Sequence, residues 1–173
     1  MAPPKIPRRY WDSFCFIALM DENDRFRKVC ELIINEASDG NLEIVVSPLT
    51  LAEVVRPKGS PHPIPKDHEK LVRDFFENDY IVMRNLDREL GEQARQLCWD
   101  HALHPRDAIH VATAIDTQCE CFETGDPGIL RLDGKIGSPA LVIRHPTWTG
   151  QLPLPESETP TDESNTHAGN PPA

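Results

Sequence analysis

The sequence predicts an α/β fold in which helices flank a central, mostly parallel β-sheet. Between residues 9 and 150, short apolar runs alternate with segments whose apolar residues recur at helical spacing, which is the pattern of successive βα units. The 173 residues are enough for one domain with its own core. No internal repeat is visible, so the alternation indicates a single α/β domain.

Capping and turn residues indicate where the elements begin. From Phe26, apolar residues follow at i+3, i+4, i+7 and i+8, which predicts an amphipathic helix. Ser47 followed by Pro48 predicts an N-cap and the first position of a helix, Asp87 predicts another cap, and Pro105 begins a later helix. In chain order we predict a strand at 9–11, a helix at 14–20, a helix ending near residue 40, a strand at 43–46, a helix at 49–55, a loop at 56–65, a helix at 66–77, a strand at 80–83, helices after residues 87 and 104, and strands at 121–122 and 140–143.

Composition divides the chain into three parts. Residues 1–8 form an N-terminal arm, residues 9–150 the folded domain, and residues 151–173 a tail rich in proline and acids that we expect to be disordered. No secretory signal follows the first residues, and no apolar run approaches the ~18 residues of a membrane helix. We therefore expect a soluble, cytoplasmic protein with no membrane partner.

Cysteine content and charge narrow the possible partners. The five cysteines are an odd number, and Cys119 and Cys121 have no second pair at zinc-site spacing, so we expect free, buried or half-buried thiols. The net charge of −10 is only weak evidence against a nucleic-acid partner, because the tail alone carries −4 of it. If four of the remaining acids bind metal, the rest of the domain surface is close to neutral.

Four acids stand where predicted strands give way to helices or turns. They are Asp12, Glu53, Asp107 and Asp126. In an open α/β sheet the crevice beyond the carboxyl ends of the strands binds ligands, and carboxylates gathered there select hard divalent cations such as Mg²⁺ or Mn²⁺. Taken singly, each acid also fits a structural role as a helix cap, a solvated helix residue or a turn residue.

Four motifs around these acids resemble the PIN-domain family, which includes the VapC-type toxins of toxin–antitoxin pairs. The motifs are Trp-Asp-Ser at 11–13, Ser-Pro-Leu-Thr-Leu-Ala-Glu-Val at 47–54, His-Pro-Arg-Asp-Ala-Ile-His-Val-Ala-Thr-Ala at 104–114 and Glu-Thr-Gly-Asp at 123–126. They occur in the family's order, and the resemblance covers residues 9–143. The chain departs from the family at Phe14, where a small or polar residue is usual, and at Pro127, which follows the last acid.

The resemblance implies a metal-dependent endoribonuclease that cleaves single-stranded RNA. Asp12, Asp107 and Asp126 would bind Mg²⁺ or Mn²⁺ directly, and Glu53 would complete a second site or act through water. A cognate antitoxin protein and a homodimer are further implications. Ser13 and Thr124 are expected to orient the metal ligands. The basic residues near the acids are candidate phosphate contacts, with solvated surface as the alternative: Arg56, Lys58 and Arg106, together with Arg8 and Arg9.

Other functions fit the sequence less well or remain as alternatives. A PIN-fold module that binds nucleic acid or protein with little catalysis is the main alternative. A phosphatase-like hydrolase would need a second Asp two residues after Asp12, where Phe14 stands, and a nucleotide-binding fold would need a glycine-rich loop after the first strand. His110 is expected to be packed or hydrogen-bonded, with the role of a base as the alternative.

Overall fold

The computed structural model describes residues 5–150 of the chain as a single parallel sheet covered by helices. Residues 1–4 of the predicted arm and the 151–173 tail, which was predicted to be disordered, lie outside the described residues. Nowhere in the described part is a helix both long and apolar enough to cross a membrane. The elements are β1 (Arg8–Trp11), α1 (Ser13–Met20), α2 (Arg27–Ser38), β2 (Glu43–Val46), α3 (Pro48–Glu53), α4 (Lys66–Phe76), β3 (Ile81–Met83), α5 (Arg88–His101), α6 (Pro105–Asp116), β4 (Cys121–Glu123), α7 (Pro127–Leu130) and β5 (Val142–Arg144).

The sheet has five strands in the order β3-β2-β1-β4-β5, and every neighbouring pair is parallel. The predicted α/β class with a central parallel sheet is therefore confirmed. Strand β1 lies between β2 on one side and β4 on the other, so the order of connection reverses at β1. At such a reversal the helices that follow neighbouring strands leave towards opposite faces and open a crevice at the carboxyl ends of the strands.

Side chains alternate along each strand, so the two faces of the sheet carry two separate hydrophobic cores. Tyr10 and Phe122 lie in the core that packs against α5 and α6. Trp11 and Ile44 lie in the core that packs against α1 and α2. Because Tyr10 and Trp11 are both fully buried, on opposite faces, β1 holds the two layers in a fixed relation to each other.

Most helices begin where the capping residues predict. Asp87 accepts a hydrogen bond from the Leu90 N–H at 2.9 Å at the start of α5, and Pro105 occupies the first turn of α6. Ser47 stands at the N-cap position of α3 as predicted, but its hydroxyl makes no capping hydrogen bond and is buried. The short helix α7 was not expected from the sequence, and it explains Pro127, which occupies its first turn.

All five cysteines are free, in agreement with the prediction. Cys119 and Cys121 are buried, and desolvation raises the pKa of the two thiols to about 11 and about 12 respectively. Two such thiols stay protonated near neutral pH and behave as small apolar side chains.

Candidate active site

The fold brings the four predicted acids to one cavity at the carboxyl ends of the strands. Asp12 follows β1 and is the N-cap of α1, Glu53 is the last residue of α3, Asp107 lies in the first turn of α6, and Asp126 is the N-cap of α7. All four line a cavity of about 710 Å³, which we call the four-acid cavity. The acids come from segments that are up to 114 residues apart in sequence. Asp12, Glu53 and Asp126 come after β1, β2 and β4, whereas Asp107 comes after α5 and reaches the cavity through the packing of α6.

Thr124 connects the ends of β1 and β4 through hydrogen bonds to two of the acids. Its hydroxyl donates to Asp12 Oδ2 at 2.5 Å and accepts from the backbone N–H of Asp126 at 3.0 Å. The other oxygen of Asp12 accepts from the Phe14 N–H at 2.9 Å, so this carboxylate caps α1 while it lines the cavity. Thr124 therefore fixes the positions of Asp12 and Asp126 relative to each other.

Asp12 is the most deeply buried of the four acids, with 6% of its surface exposed. Desolvation raises the pKa of its carboxyl to about 6, although the Thr124 hydroxyl and the Phe14 N–H favour the ionised form. Where burial disfavours ionisation of a carboxyl, a nearby cation strongly stabilises the ionised form.

Glu53 is held by a chain of buried hydrogen bonds that begins at Tyr10. The Tyr10 hydroxyl lies 2.7 Å from His110 Nδ1, and His110 Nε2 lies 3.1 Å from Glu53 Oε2. Burial raises the pKa of Tyr10 above its usual value, so its hydroxyl keeps the proton and donates to Nδ1. With Nδ1 accepting from Tyr10, the Nε2–H of His110 donates to Glu53.

The environment of Glu53 favours its charged form. Burial acts to raise its pKa, but hydrogen bonds from His110 and Ser13 and the charge of Arg106 outweigh it, so the pKa lies below its usual value. Arg106 Nε is 3.1 Å from Glu53 Oε1 and 3.7 Å from Asp107 Oδ1. Arg106 therefore lies between two acids of the cavity, a pairing that no sequence pattern indicated.

The basic residues separate into two groups. Arg56, Lys58 and Arg106 line the four-acid cavity, and all three are exposed. Arg8 instead pairs with Glu43 at 2.8 Å, and Arg9 pairs with the buried Glu123 at 3.0 Å. Both of these arginines lie outside the lining of the cavity, so the sequence-based suggestion that they contact phosphate finds no support in their positions.

Residues 9–135 match the family model of the PIN domain. The chain belongs to the PIN-domain family. A comparison with curated proteins gives no match. The predicted resemblance to the family is confirmed.

Solved structures with the same fold are distant in sequence. The chain is similar to VapC20 of Mycobacterium tuberculosis, a sarcin–ricin-loop-cleaving toxin, with a TM-score of 0.55 and 14% identity over 71% of this chain and 93% of that one. It is also similar to VapBC2 of Rickettsia felis, solved with a DNA fragment from its promoter, with a TM-score of 0.54 and 15% identity over 80% and 98% of the two chains. At these identities the likeness shows the fold.

The donor chemistry of the site fits a hard divalent cation. Carboxylate oxygens are the ligands that Mg²⁺ and Mn²⁺ prefer, and Glu53 Oε1 is buried without a well-aligned hydrogen bond. Across residues 5–150, however, no three His, Cys, Asp or Glu side chains are placed to hold one ion together. The side chains of this PIN domain would therefore need to move closer together around a cation.

The structural role of Glu123, a buried acid beside the site, was not predicted from the sequence. Glu123 is fully buried and accepts from Trp11 Nε1 at 2.8 Å and from Arg9 Nη1 at 3.0 Å. The signal was present in the pattern of β1, where Arg9 and Trp11 are two residues apart and so share one face of the sheet. Recognising it requires the register of β1 with β4, which pairs Trp11 with Glu123.

Proposed function

We propose that this PIN domain is an endoribonuclease that cleaves single-stranded RNA with Mg²⁺ or Mn²⁺, and that it acts as the toxin of a toxin–antitoxin pair in the cytoplasm. The observation that carries the proposal is the meeting of Asp12, Glu53, Asp107 and Asp126 in one cavity whose rim is basic. A concentration of carboxylates beside exposed arginine and lysine suits a substrate that bears phosphate and a cation that neutralises it.

Each residue has a role that its contacts support. Asp12, Asp107 and Asp126 would hold the cation, with Glu53 completing the set. When bound, the cation supplies positive charge and Lewis acidity at the phosphodiester. Thr124 orients the Asp12 carboxylate and holds the backbone of Asp126 through its hydroxyl.

The other side chains position the fourth acid and the substrate. The Tyr10–His110 pair keeps Glu53 ionised and fixed in direction, and Ser13 assists it. Arg106 has 57% of its side chain exposed, so it can turn from Glu53 towards a phosphate oxygen. With Arg56 and Lys58 it would bind the RNA backbone, where charge and positioning lower the barrier without a covalent intermediate.

The test compares cleavage of single-stranded RNA by wild type and by Asp107→Asn. We expect cleavage in Mg²⁺ or Mn²⁺, none in EDTA, and a loss of more than about a hundredfold in the variant, which exceeds the effect of removing an outer partner of a metal ligand. Asp79→Asn is the matched control, because Asp79 is exposed and precedes β3 at the opposite end of the strands. Cleavage that persists in excess EDTA, or equal losses in both variants, would contradict the proposal.

The alternative is a PIN-fold binding module with little or no catalysis. It is favoured by the finding that, within residues 5–150, no three potential ligands are placed around one point. Wild-type protein that binds RNA but does not cleave it in either metal would support this alternative. A melting temperature unchanged by Mn²⁺ would point the same way, since a bound cation must stabilise the folded state.

A protein partner has a suitable surface in an apolar groove of about 310 Å³ beside α1, α2 and α4. Its lining includes Phe16, Ile34, Leu71 and Phe75, and Leu71 is 64% exposed. We propose that an antitoxin covers this groove. Leu71→Glu should abolish co-purification with the product of a small adjacent gene, whereas Leu86→Glu, at a residue 49% exposed outside the groove, should not. Equal effects of the two changes would contradict this assignment.

A homodimer is a further implication of the family, and size-exclusion chromatography with light scattering would test it.

A further inference from the structure

A second cavity, which we call the aromatic cavity, adjoins the four-acid cavity. Its volume is about 530 Å³. Phe14, Lys58 and Gly125 line both cavities, so the two cavities adjoin at these residues. The remaining lining comes mainly from the loop between α1 and α2, including Arg25 and Phe26, and from His145 after β5. Neither the roles assigned to the four acids nor the antitoxin groove involves the aromatic cavity.

Flat side chains are layered around Phe26 in this cavity. The His145 ring stacks on Phe26 with centroids 5.0 Å apart and planes 25° apart, and the Arg25 guanidinium carbon lies 4.5 Å from the Phe26 centroid. Arg25 and His145 are both exposed, so they offer flat groups at the surface of the stack. Phe14 meets Phe26 edge-on at 5.4 Å and connects the stack to the four-acid cavity.

The stack has a fixed position relative to the four acids. His145 Nδ1 lies 3.1 Å from the carbonyl oxygen of Thr124, the residue whose hydroxyl holds Asp12. Gly125 lacks a side chain where the Phe14 ring lies, and a Cβ there would collide with the ring. Phe14, which departs from the family pattern, can therefore stand at the boundary of the two cavities only because residue 125 is glycine.

Charge in the aromatic cavity suits a nucleotide. Lys58 lies 5.9 Å from the Phe14 centroid and lines both cavities, where it can pair with a phosphate between them. Asp21 and Asp24 also line the cavity, and one oxygen of each is held by a backbone N–H of the loop. Their second oxygens can accept hydrogen bonds from the amino groups of a base.

We propose that the aromatic cavity is the subsite for a nucleobase of single-stranded RNA, the base next to the phosphodiester held in the four-acid cavity. The proposal rests on the proposed ribonuclease function and specifies how that function selects its substrate. Bases stack on aromatic rings and on guanidinium planes, and splayed single-stranded bases are recognised in this way. The layered stack supplies the flat surface, and Lys58 supplies the charge for the backbone beside it.

The test measures binding of adenosine 5′-monophosphate in EDTA, which separates base recognition from catalysis and from metal. Ribose 5-phosphate is the matched ligand, because it carries the phosphate without the base. His145→Asn keeps a donor for the Thr124 carbonyl but removes the ring, and Arg25→Lys keeps the charge but removes the plane. His68→Asn is the control, since His68 is 59% exposed on α4 and outside the cavity.

We expect His145→Asn and Arg25→Lys each to weaken binding of the nucleotide by about fivefold or more, because base stacking is worth roughly five- to a hundred-and-fifty-fold in affinity. Ribose 5-phosphate should bind more weakly and equally to all variants, and His68→Asn should match wild type. With Mn²⁺, the same two variants should raise KM for an RNA hexamer, and His68→Asn should leave it unchanged.

Two outcomes would overturn the subsite. One is a nucleotide that binds no better than ribose 5-phosphate, and the other is equal binding by wild type and both variants, with unchanged melting temperatures showing that the variants fold. If the nucleotide binds as expected while wild type does not cleave RNA, the result supports the base subsite and contradicts the nuclease. Failure of the subsite and failure of the proposed function are therefore distinguishable.

Discussion

Replacing Asp12 with asparagine should remove a pH-dependent cost of folding that the metal-free wild type bears. Burial raises the pKa of this carboxyl from 3.8 to about 6 in the folded state. Between these values the folded protein holds a proton that the unfolded chain has released. The free energy of unfolding of the wild type therefore falls as the pH rises through this window, and it levels off above the folded-state pKa.

The magnitude follows from the size of the shift. About two pKa units correspond to about 3 kcal/mol of differential stability. The Asp12→Asn variant cannot ionise, so its unfolding free energy relative to wild type should rise by about 3 kcal/mol between about pH 4 and about pH 7. The asparagine oxygen can still accept from the Phe14 N–H, so the cap of α1 is retained. A weaker contact with Thr124 would lower the variant's stability at every pH and leave the difference between the two pH values unchanged.

The assay is urea denaturation of both proteins in EDTA across this pH range, with Asp79→Asn as the control for loss of an exposed acid. The control should show no such rise. A difference between Asp12→Asn and wild type that stays flat with pH, or that falls as the pH rises, would refute the reasoning, because it would mean that burial imposes no ionisation cost on Asp12. At neutral pH, Mn²⁺ should then stabilise the wild type and have much less effect on the variant.

Three further predictions concern other parts of the chain. Glu123→Ala should lower the unfolding free energy by about 3 kcal/mol or more in urea denaturation, because Arg9 would lose its buried partner; a loss under about 1 kcal/mol would contradict this. Iodoacetamide at about pH 8 should modify Cys98 first, as mass spectrometry would show, because the other four cysteines are buried; earlier labelling of Cys121 would be inconsistent with its raised pKa. Deleting residues 151–173 should change the melting temperature in calorimetry by no more than about two degrees, since the segment contains few apolar residues, and a larger drop would show that it packs on the domain.

The sequence was sufficient for the features that depend on local pattern. The β-branched run at Glu43–Val46 is a strand with the predicted bounds, and α6 begins at the predicted Pro105. The gathering of Asp12, Glu53 and Asp126 also follows from a local rule, because these acids come after β1, β2 and β4 and the carboxyl ends of parallel strands share one edge of the sheet. These three acids needed only to be assigned to strand ends, which turn and capping residues marked, whereas the position of Asp107 depends on the packing of α6.

Features that depend on pairing between distant segments could not be predicted. The contact between Tyr10 and His110 joins residues 100 positions apart, and that between Glu53 and His110 joins residues 57 apart. Both depend on how α6 lies over β1 and α3, which no local pattern specifies. Arg106 is similar: it was expected at the cavity, but its ion pair with Glu53 depends on that same packing. The helix α7 escaped prediction because four residues are too few for a helical period to show.

The two buried acids at the ends of β1 and β4 show why burial by itself does not identify a cation site. Glu123 is fully buried, but Arg9 and Arg144 lie within 3.6 Å of its carboxylate, so its charge is compensated within the protein. Asp12 is buried almost as deeply, but its hydrogen bonds come from a hydroxyl and a backbone amide. Among residues 5–150, no lysine or arginine forms a salt bridge with it. A buried carboxylate that lacks a cationic partner must either hold a proton or bind a cation from solution. Asp12 lines a cavity that three other acids also line, so it can bind a cation from solvent. A metal-dependent function would therefore depend above all on Asp12.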